Sequence, residues 1–470
     1  MERMLSYPRL NPDKAYISNN LLLPKSKIPV PVVKAALEFQ TDEEVPVLDE
    51  VGQLIEMRAA TLNLWDETAH HLIVPREFLD RTQYADFDCE FVQLPRPVYQ
   101  KTGWVDRIKF RDARQARAFE ALLKHDSGTL NLSCGVGKSV LALKAAAVLG
   151  VPTIVVVNTT ALLEQWKEEI HRHLTNEVIG TVQGTLADWQ HNIVVAMVHT
   201  LSYRHWPMDF RRYFGLMITD ECHHMSAPVF VKSADLFYGR RFSLTATASR
   251  TDGLEAIYQY HLGKVIHSDL EQELIPMTHF HTLKWECPPE DTIRVLDRYK
   301  EINTAKVRSY LGCLAWRNDI IYQQIVLDLA AGRRLLVLSH SVEHVKQLHS
   351  YLGAAGGGMV IGSTPQNERM GILRVCNPVF GTFQLAREGL NKPELDTLYI
   401  VTPFGNANDL QQAWGRIQRV YPCKLPPVVR VFEDSAFSYC RQSCNSMRRI
   451  LKQFNYPYDR VPTYGEENAR

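Results

Sequence analysis

From about residue 105 onward, short apolar runs alternate with segments whose apolar positions recur every three to four residues. The runs "GTLNLS", "PTIVVV", "NIVVAMV", "FGLMITD" and "RRFSLTATA" have the length and composition of buried strands. Among them, "KSVLALKAAAVLG" reads as a helix closed by Gly150, and "TALLEQWKEEIHRHL" as an amphipathic helix. A second series begins after about 280, with "RRLLVLSH", "GMVIGST", "FGTFQLA" and "TLYIVTP" as strands and "SVEHVKQLHSYLG" and "DLQQAWGRIQRVY" as helices. Such alternation is the pattern of parallel βαβ units. The first hundred residues differ. They are rich in proline and acids, and short runs such as "HHLIVP" and "CEFVQLP" predict a small mixed or β-rich accessory domain. "PRPVYQKTGW" reads as the linker out of it. The expected fold class is α/β. The expected boundaries are 1–100 for the accessory domain, 101–278 for a first lobe and 279–470 for a second lobe ending in a C-terminal helix.

Charge changes this picture in one respect. The net charge of +1 gives no global positive field, so a polyanion must be held by local grooves and backbone amides. The N-terminal "MERMLSYPRLNPDKAY" has no apolar signal core, and the most apolar run, "VLALKAAAVLGVPTIVVV", is broken by Lys144 and Pro152. No membrane partner is expected. Nine scattered cysteines fit a reducing, cytoplasmic compartment, or the host cytoplasm should the chain be viral. Cys440, Cys444, Met447 and Leu451 recur on one helical face, with Arg448, Arg449 and Lys452 off it, which makes the thiols core residues rather than zinc ligands.

Two stretches carry chemistry. "SCGVGKS" lies between a predicted strand and a predicted helix, with Leu132 where a full phosphate loop has its opening glycine. Gly135 and Gly137 free the backbone to curl, turning N–H groups toward phosphate oxygens, and the helix start adds its positive end. Lys138 then reaches the terminal phosphates, and Ser139 offers its hydroxyl to Mg²⁺. An ordinary Gly-rich turn is the alternative. "LMITDECHH" ends an apolar strand in Asp220-Glu221, at the edge where open α/β sheets bind ligands. Asp220 would hold the metal there, and Glu221 would orient and deprotonate an attacking water. Alone, the pair reads as an acidic turn. Cys222, His223 and His224 are not read as a metal set, because adjacent residues on one strand end rarely converge.

In this order, "SCGVGKS", "TDECHH", "SLTATA" and "QAWGRIQR" resemble the motif set of superfamily 2 helicases and translocases. Ser133 to Ser139 resembles motif I, in which the position of Leu132 varies across the group. Asp220 to His223 resembles motif II, Thr245 to Thr247 motif III, and Gln412 to Arg419 motif VI. Gln115 resembles the upstream glutamine that reads adenine. "NTTALLEQW", "VHTL" with Thr200, "SHSVEHV" and "FGTFQLAREGLNKP" resemble the intervening motifs, and the likeness covers about residues 105 to 430. The wording D-E-C-H and T-A-T, with "TASRTDGLE" following, is most similar to the repair and recombination group, including phage branch-migration helicases; "HHLIVPREF" resembles a segment found there. Ala248, where many relatives have proline, and Asn391, where the family often has aspartate, depart from the pattern.

The resemblance implies two tandem RecA-like parallel-sheet lobes, with ATP in the cleft between them. ATP would be bound by Gln115, Ser133, Gly135, Val136, Gly137, Lys138, Ser139 and Gln412, with Mg²⁺ on Ser139 and Asp220. Catalysis would fall to Lys138, Asp220, Glu221, Arg416 and Arg419, the two arginines sharing one face of a helix by their i, i+3 spacing. Thr159, Thr200, Thr364, Thr382 and Gln384 would grip the strand, and Thr245 and Thr247 would couple that grip to ATP. The implied partners are single-stranded and forked or branched DNA and an RNA–DNA hybrid, with no obligate protein partner; residues 1–100 would be a duplex- or junction-binding module. An RNA helicase, a translocase subunit of a restriction complex and a nucleotide-gated scaffold are the rival readings. The basic pairs at 211–212, 240–241, 333–334 and 448–449 read mostly as solvated faces, one or two of them lining a duplex. Trp104, Trp206 and Trp414 read as core.

Overall fold

The structure is a computed structural model that describes residues 10–48, 54–133, 135–174, 178–221, 227–246, 254–352, 357–387, 390, 392–402, 405 and 407–464. Thr247, Ala248, Asn391 and the run 222–224 lie outside them. Contacts divide the chain into two compact units, Met1–Leu132 with Val136–Leu270, and Ser133–Gly135 with Glu271–Arg470.

Counted over the described residues, the first unit carries an eight-stranded sheet. Its order is Leu186–Asp188, Ile179–Gln183, Ile193–Met197, Thr153–Val157, Leu216–Asp220, Arg240–Thr245, Ser127–Leu132, Val265–Asp269. All neighbours run parallel except the edge hairpin of the first two. Thr153–Val157 and Leu216–Asp220 are buried at every residue, which β-branched and aliphatic side chains allow because helices cover both faces. The second unit carries a seven-stranded sheet, again counted over the described residues and parallel throughout: Gly358–Val360, Val379–Thr382, Leu335–Ser339, Thr397–Ile400, Val428–Asp434, Met277–Leu283, Tyr458–Tyr464. The fold is thus α/β with two parallel-sheet lobes.

The N-terminal hundred residues form a small sheet and a separate hairpin, Glu38–Leu48 with Leu54–Asn63. Their apolar side chains join the core of the first lobe, where Leu21, Leu23, Leu72 and Val74 belong to one cluster with Ile154, Val156, Phe210, Phe230 and Leu262. Two arginines fasten this junction. Arg76, 4% exposed, donates to the Gly239 carbonyl at 2.8 Å and to Ser127 Oγ at 2.6 Å. Arg241, fully buried, donates to the carbonyls of Asn19 at 2.6 Å, His261 at 2.9 Å and Phe237 at 3.0 Å.

The pair 240–241 is therefore not a solvated face. Successive residues of a strand point to opposite sides, so Arg240 stays half-buried at the rim while Arg241 goes inward. Arg448 is also buried, paired with Glu433 and stacked over the Phe280 ring at 4.4 Å. Cys440, Cys444, Met447 and Leu451 are buried along one face of the helix Ser438–Gln453. Trp104 and Trp414 are buried, and Trp206 packs on Phe210 with centroids 4.0 Å apart.

The second lobe holds two histidines neutral. His344 lies between Ser339 Oγ at 3.2 Å and Asn318 Oδ1 at 3.0 Å, and burial pushes its pKa down to about 3. His281 is lowered to about 4, first by burial and then by the Arg430 guanidinium. Both fall below the unfolded value of 6.5, so the unfolded chain binds more protons as the solution turns acid. Stability present above pH 6.5 is lost as pH falls from there toward 4, at up to about 1.4 kcal/mol per pH unit for each histidine. Denaturant unfolding at pH 7.5, 6 and 5 should show this slope, and His344→Gln should reduce it; an unchanged slope refutes the assignment.

Candidate functional site

The first lobe gathers its candidate residues at the C-terminal edge of three adjacent strands. Asp220 pairs with Leu244, and Thr245 with Asn131, so the acid pair, Thr245 and the loop after Leu132 emerge side by side. The loop turns through Gly135 at φ 88° and Gly137 at φ 92°, values that favour glycine. At Gly137 a Cβ would also meet Gln115 Nε2 at 3.0 Å. The helix Lys138–Leu149 starts directly from Gly137 and ends on Gly150. Val136 and Ser133 are buried, and Ser139 is half-buried in the helix's first turn.

Gln115 stands behind this loop. Its Nε2 donates to the Val136 carbonyl at 2.6 Å, and its Oε1 accepts from the Arg111 amide at 2.7 Å. The side chain braces the loop with the same amide that the resemblance assigns to adenine. Lys138 Nζ donates to the Leu132 carbonyl at 3.2 Å and lies 3.6 Å from Glu221 Oε1. Glu221 sits at φ 49°, a sparsely populated conformation for a non-glycine, with its amide donating to the Leu244 carbonyl at 3.0 Å. Asp220, 5% exposed, accepts a hydrogen bond from Trp166 Nε1 at 2.8 Å. Burial, and then the neighbouring Glu221 charge, hold its carboxyl well above the usual carboxylate range, against the pull of Lys138.

Of the strand-contact candidates in this lobe, Thr159 caps the helix Thr160–His173 by accepting from the Leu162 amide at 3.2 Å. Thr200 Oγ1 accepts from the Gly184 amide at 2.9 Å. In the second lobe Thr382 ends a strand, Gln384 is exposed just after it, and Thr364 Oγ1 accepts from the Ile361 amide at 3.0 Å.

Gln412 and Arg416 lie on the helix Ala407–Ile417. Gln412 is 9% exposed, and Arg416 Nη1 donates to the Leu390 carbonyl at 3.3 Å. The helix ends earlier than expected, so Arg419 lies beyond it and the shared helical face for the two arginines does not hold. Pro422 disfavours helical geometry at Tyr421. Lys424 fixes the exit, its Nζ donating to the Arg419 carbonyl at 2.7 Å and the Pro393 carbonyl at 3.1 Å, and burial lowers its pKa to about 8.

Residues 107–250 match the family described as type III restriction enzyme, res subunit, and residues 316–421 match the helicase conserved C-terminal domain. The chain belongs to the superfamily 2 helicases. It is 26% identical to the "Putative ATP-dependent RNA helicase" of Acanthamoeba polyphaga mimivirus, over 83% of this chain and 76% of that one. It is 26% identical to the "DNA 3'-5' helicase XPB" of Mycobacterium tuberculosis, over 72% of this chain and 62% of that one. A solved structure, "The fragment structure of a putative HsdR subunit of a type I restriction enzyme from Vibrio vulnificus YJ016", covers 77% of this chain and 70% of its own at 15% identity and a TM-score of 0.52.

This helicase is an ATP-hydrolysing enzyme. Two residues that sequence reasoning did not assign hold its motifs in place: Trp166, which hydrogen-bonds Asp220, and Lys424, which hydrogen-bonds the Arg419 carbonyl. Trp166 closes the "NTTALLEQW" stretch, but only the fold brings its indole to the acid. No described helix is long and apolar enough to cross a membrane.

Proposed function

We propose that this helicase is an ATP-driven DNA translocase of the cytoplasm that opens or remodels forked and branched DNA. The observation that carries the reading is the set of Lys138, Asp220 and Glu221 at one sheet edge, with Lys138 Nζ 3.6 Å from Glu221 Oε1. Lys138 and the amides of the Gly135–Gly137 loop would take the phosphates, and Glu221 would draw the proton from the attacking water. Arg416 and Arg419 would spread the charge that develops on the transferred phosphoryl group. The donors suit Mg²⁺: a hydroxyl on Ser139 and a carboxylate on Asp220 are hard oxygens, and burial leaves Asp220 in need of positive charge. Ser139 and Asp220 would hold the ion, which would neutralise charge on the phosphates.

DNA as substrate is supported by the wording of motifs II and III and by the named activity of the mycobacterial relative. An RNA helicase is the second reading, favoured by the name of the mimivirus relative. ATPase activity measured with single-stranded DNA, duplex, fork, four-way junction, R-loop and single-stranded RNA separates them. The expected result is stimulation by DNA above RNA, and by forks or junctions above linear duplex. Stimulation by RNA above DNA overturns the DNA reading, and equal stimulation by every DNA overturns the preference for branches.

A further inference from the structure

The first lobe carries an aromatic and basic patch that none of the motifs includes. Tyr203, at the end of the short helix Val198–Tyr203, is 69% exposed. The ammonium of Lys232, on the helix Ala227–Ala234, lies 5.3 Å from the centre of its ring. Ser202 locks these two helices together, its Oγ donating to the Val229 carbonyl at 2.5 Å. Next in the chain is Arg204, exposed, with Nη1 3.4 Å from the Thr185 carbonyl in the edge hairpin. The same hairpin is pinned to Thr200 through the Gly184 amide. The patch is thus built on fixed elements and adjoins one of the strand-contact candidates.

The exposed ring has the Lys232 ammonium at its face, and a second cation, Arg204, follows it in the chain with its guanidinium 5.1 Å from the centre of the Trp206 ring. An aromatic face with adjacent positive charge is the chemistry that receives an unpaired base and the phosphates beside it. We propose that Tyr203 is a stacking platform for one base of a single-stranded polynucleotide, with Lys232 and Arg204 holding the adjoining phosphates. The proposal rests on the nucleic-acid reading above and names residues for it. Because the ring has a π-face and no base-edge donors in play, the contact is independent of base identity.

The test is fluorescence-anisotropy titration of labelled oligo(dT) without nucleotide, alongside ATPase activity without nucleic acid. Tyr203→Ala should weaken binding roughly 5- to 150-fold, the range of one lost stacking contact. Tyr203→Trp should bind like the parent, and Tyr203→Leu should fall with Ala, since leucine keeps apolar area but not the ring. Lys232→Met should weaken binding and lower the dependence of log affinity on log salt by about 0.7. The unstimulated ATPase and the thermal transition should stay unchanged in all four. Parent-like binding by Tyr203→Ala and Tyr203→Leu overturns the platform while leaving the nucleic-acid reading intact. A parent protein that binds no strand overturns both.

Discussion

Glu221→Gln should leave a protein that binds ATP and turns it over at least about a hundred-fold more slowly, the lower end of what a positioned general base contributes. Glutamine keeps the volume and can still accept a hydrogen bond, but it cannot take a proton from water. The geometry makes this an informative exchange. Glu221 lies 3.6 Å from Lys138 and raises the Asp220 pKa by its charge, so neutralising it also relieves that pressure. Nucleotide affinity should therefore hold or rise while turnover falls, a split that distinguishes lost chemistry from a collapsed site. Lys138→Ala should lose both, because the ammonium faces phosphate in ground state and transition state alike. Single-turnover hydrolysis with equilibrium binding of a fluorescent nucleotide measures the two quantities. Wild-type turnover in Glu221→Gln would sink the assignment.

Much of the fold was legible because the strands are buried on both faces. Such strands read as continuous apolar runs, and Thr153–Val157 and Leu335–Ser339 appear where those runs stand. The loop and the acid pair were legible because their chemistry is local, with two glycines, a lysine and a serine in one turn and two carboxylates on one strand end. What failed was non-local or depended on side. The inward turn of Arg241 follows from strand alternation, but which of two adjacent arginines faces in depends on a core that the sequence does not draw. The likeness of 1–100 to a separate module came from its texture, and texture is silent about Leu21 and Val74 lying in one cluster with Ile154 and Phe230. Cutting the chain near residue 100 would uncover that shared core, so substitutions on the exposed N-terminal surface are the cleaner probe of a DNA-binding role for this region. The indole of Trp166 reaches Asp220 across 54 residues, a contact that no motif spacing encodes.

The second large effect is one of stability, in the other lobe. Asp434→Asn should destabilise that lobe by about 3–5 kcal/mol, the usual cost of stranding a buried charge. Arg317 and Asp434 are both fully buried. Arg317 Nε and Nη2 donate to Asp434 Oδ2 at 3.1 and 2.9 Å, Nη2 also donates to the Val401 carbonyl at 2.7 Å, and Trp285 Nε1 donates to Asp434 Oδ1 at 3.1 Å. One pair thereby joins the helix Ala315–Ala330, the end of the strand Val428–Asp434 and the residue after Thr397–Ile400. Asparagine keeps the shape but leaves the guanidinium without its counter-charge, and Arg317→Met should cost a similar amount by stranding the carboxylate. Arg317→Met with Asp434→Asn removes both charges and should cost much less than the two single changes added together, because neither desolvated ion is then left alone. Urea unfolding followed by tryptophan fluorescence at pH 7.5, where the buried histidines stay neutral, reads the three variants on one scale. Additive losses would mean that the pair is not coupled and that the lobe owes its stability here to packing instead.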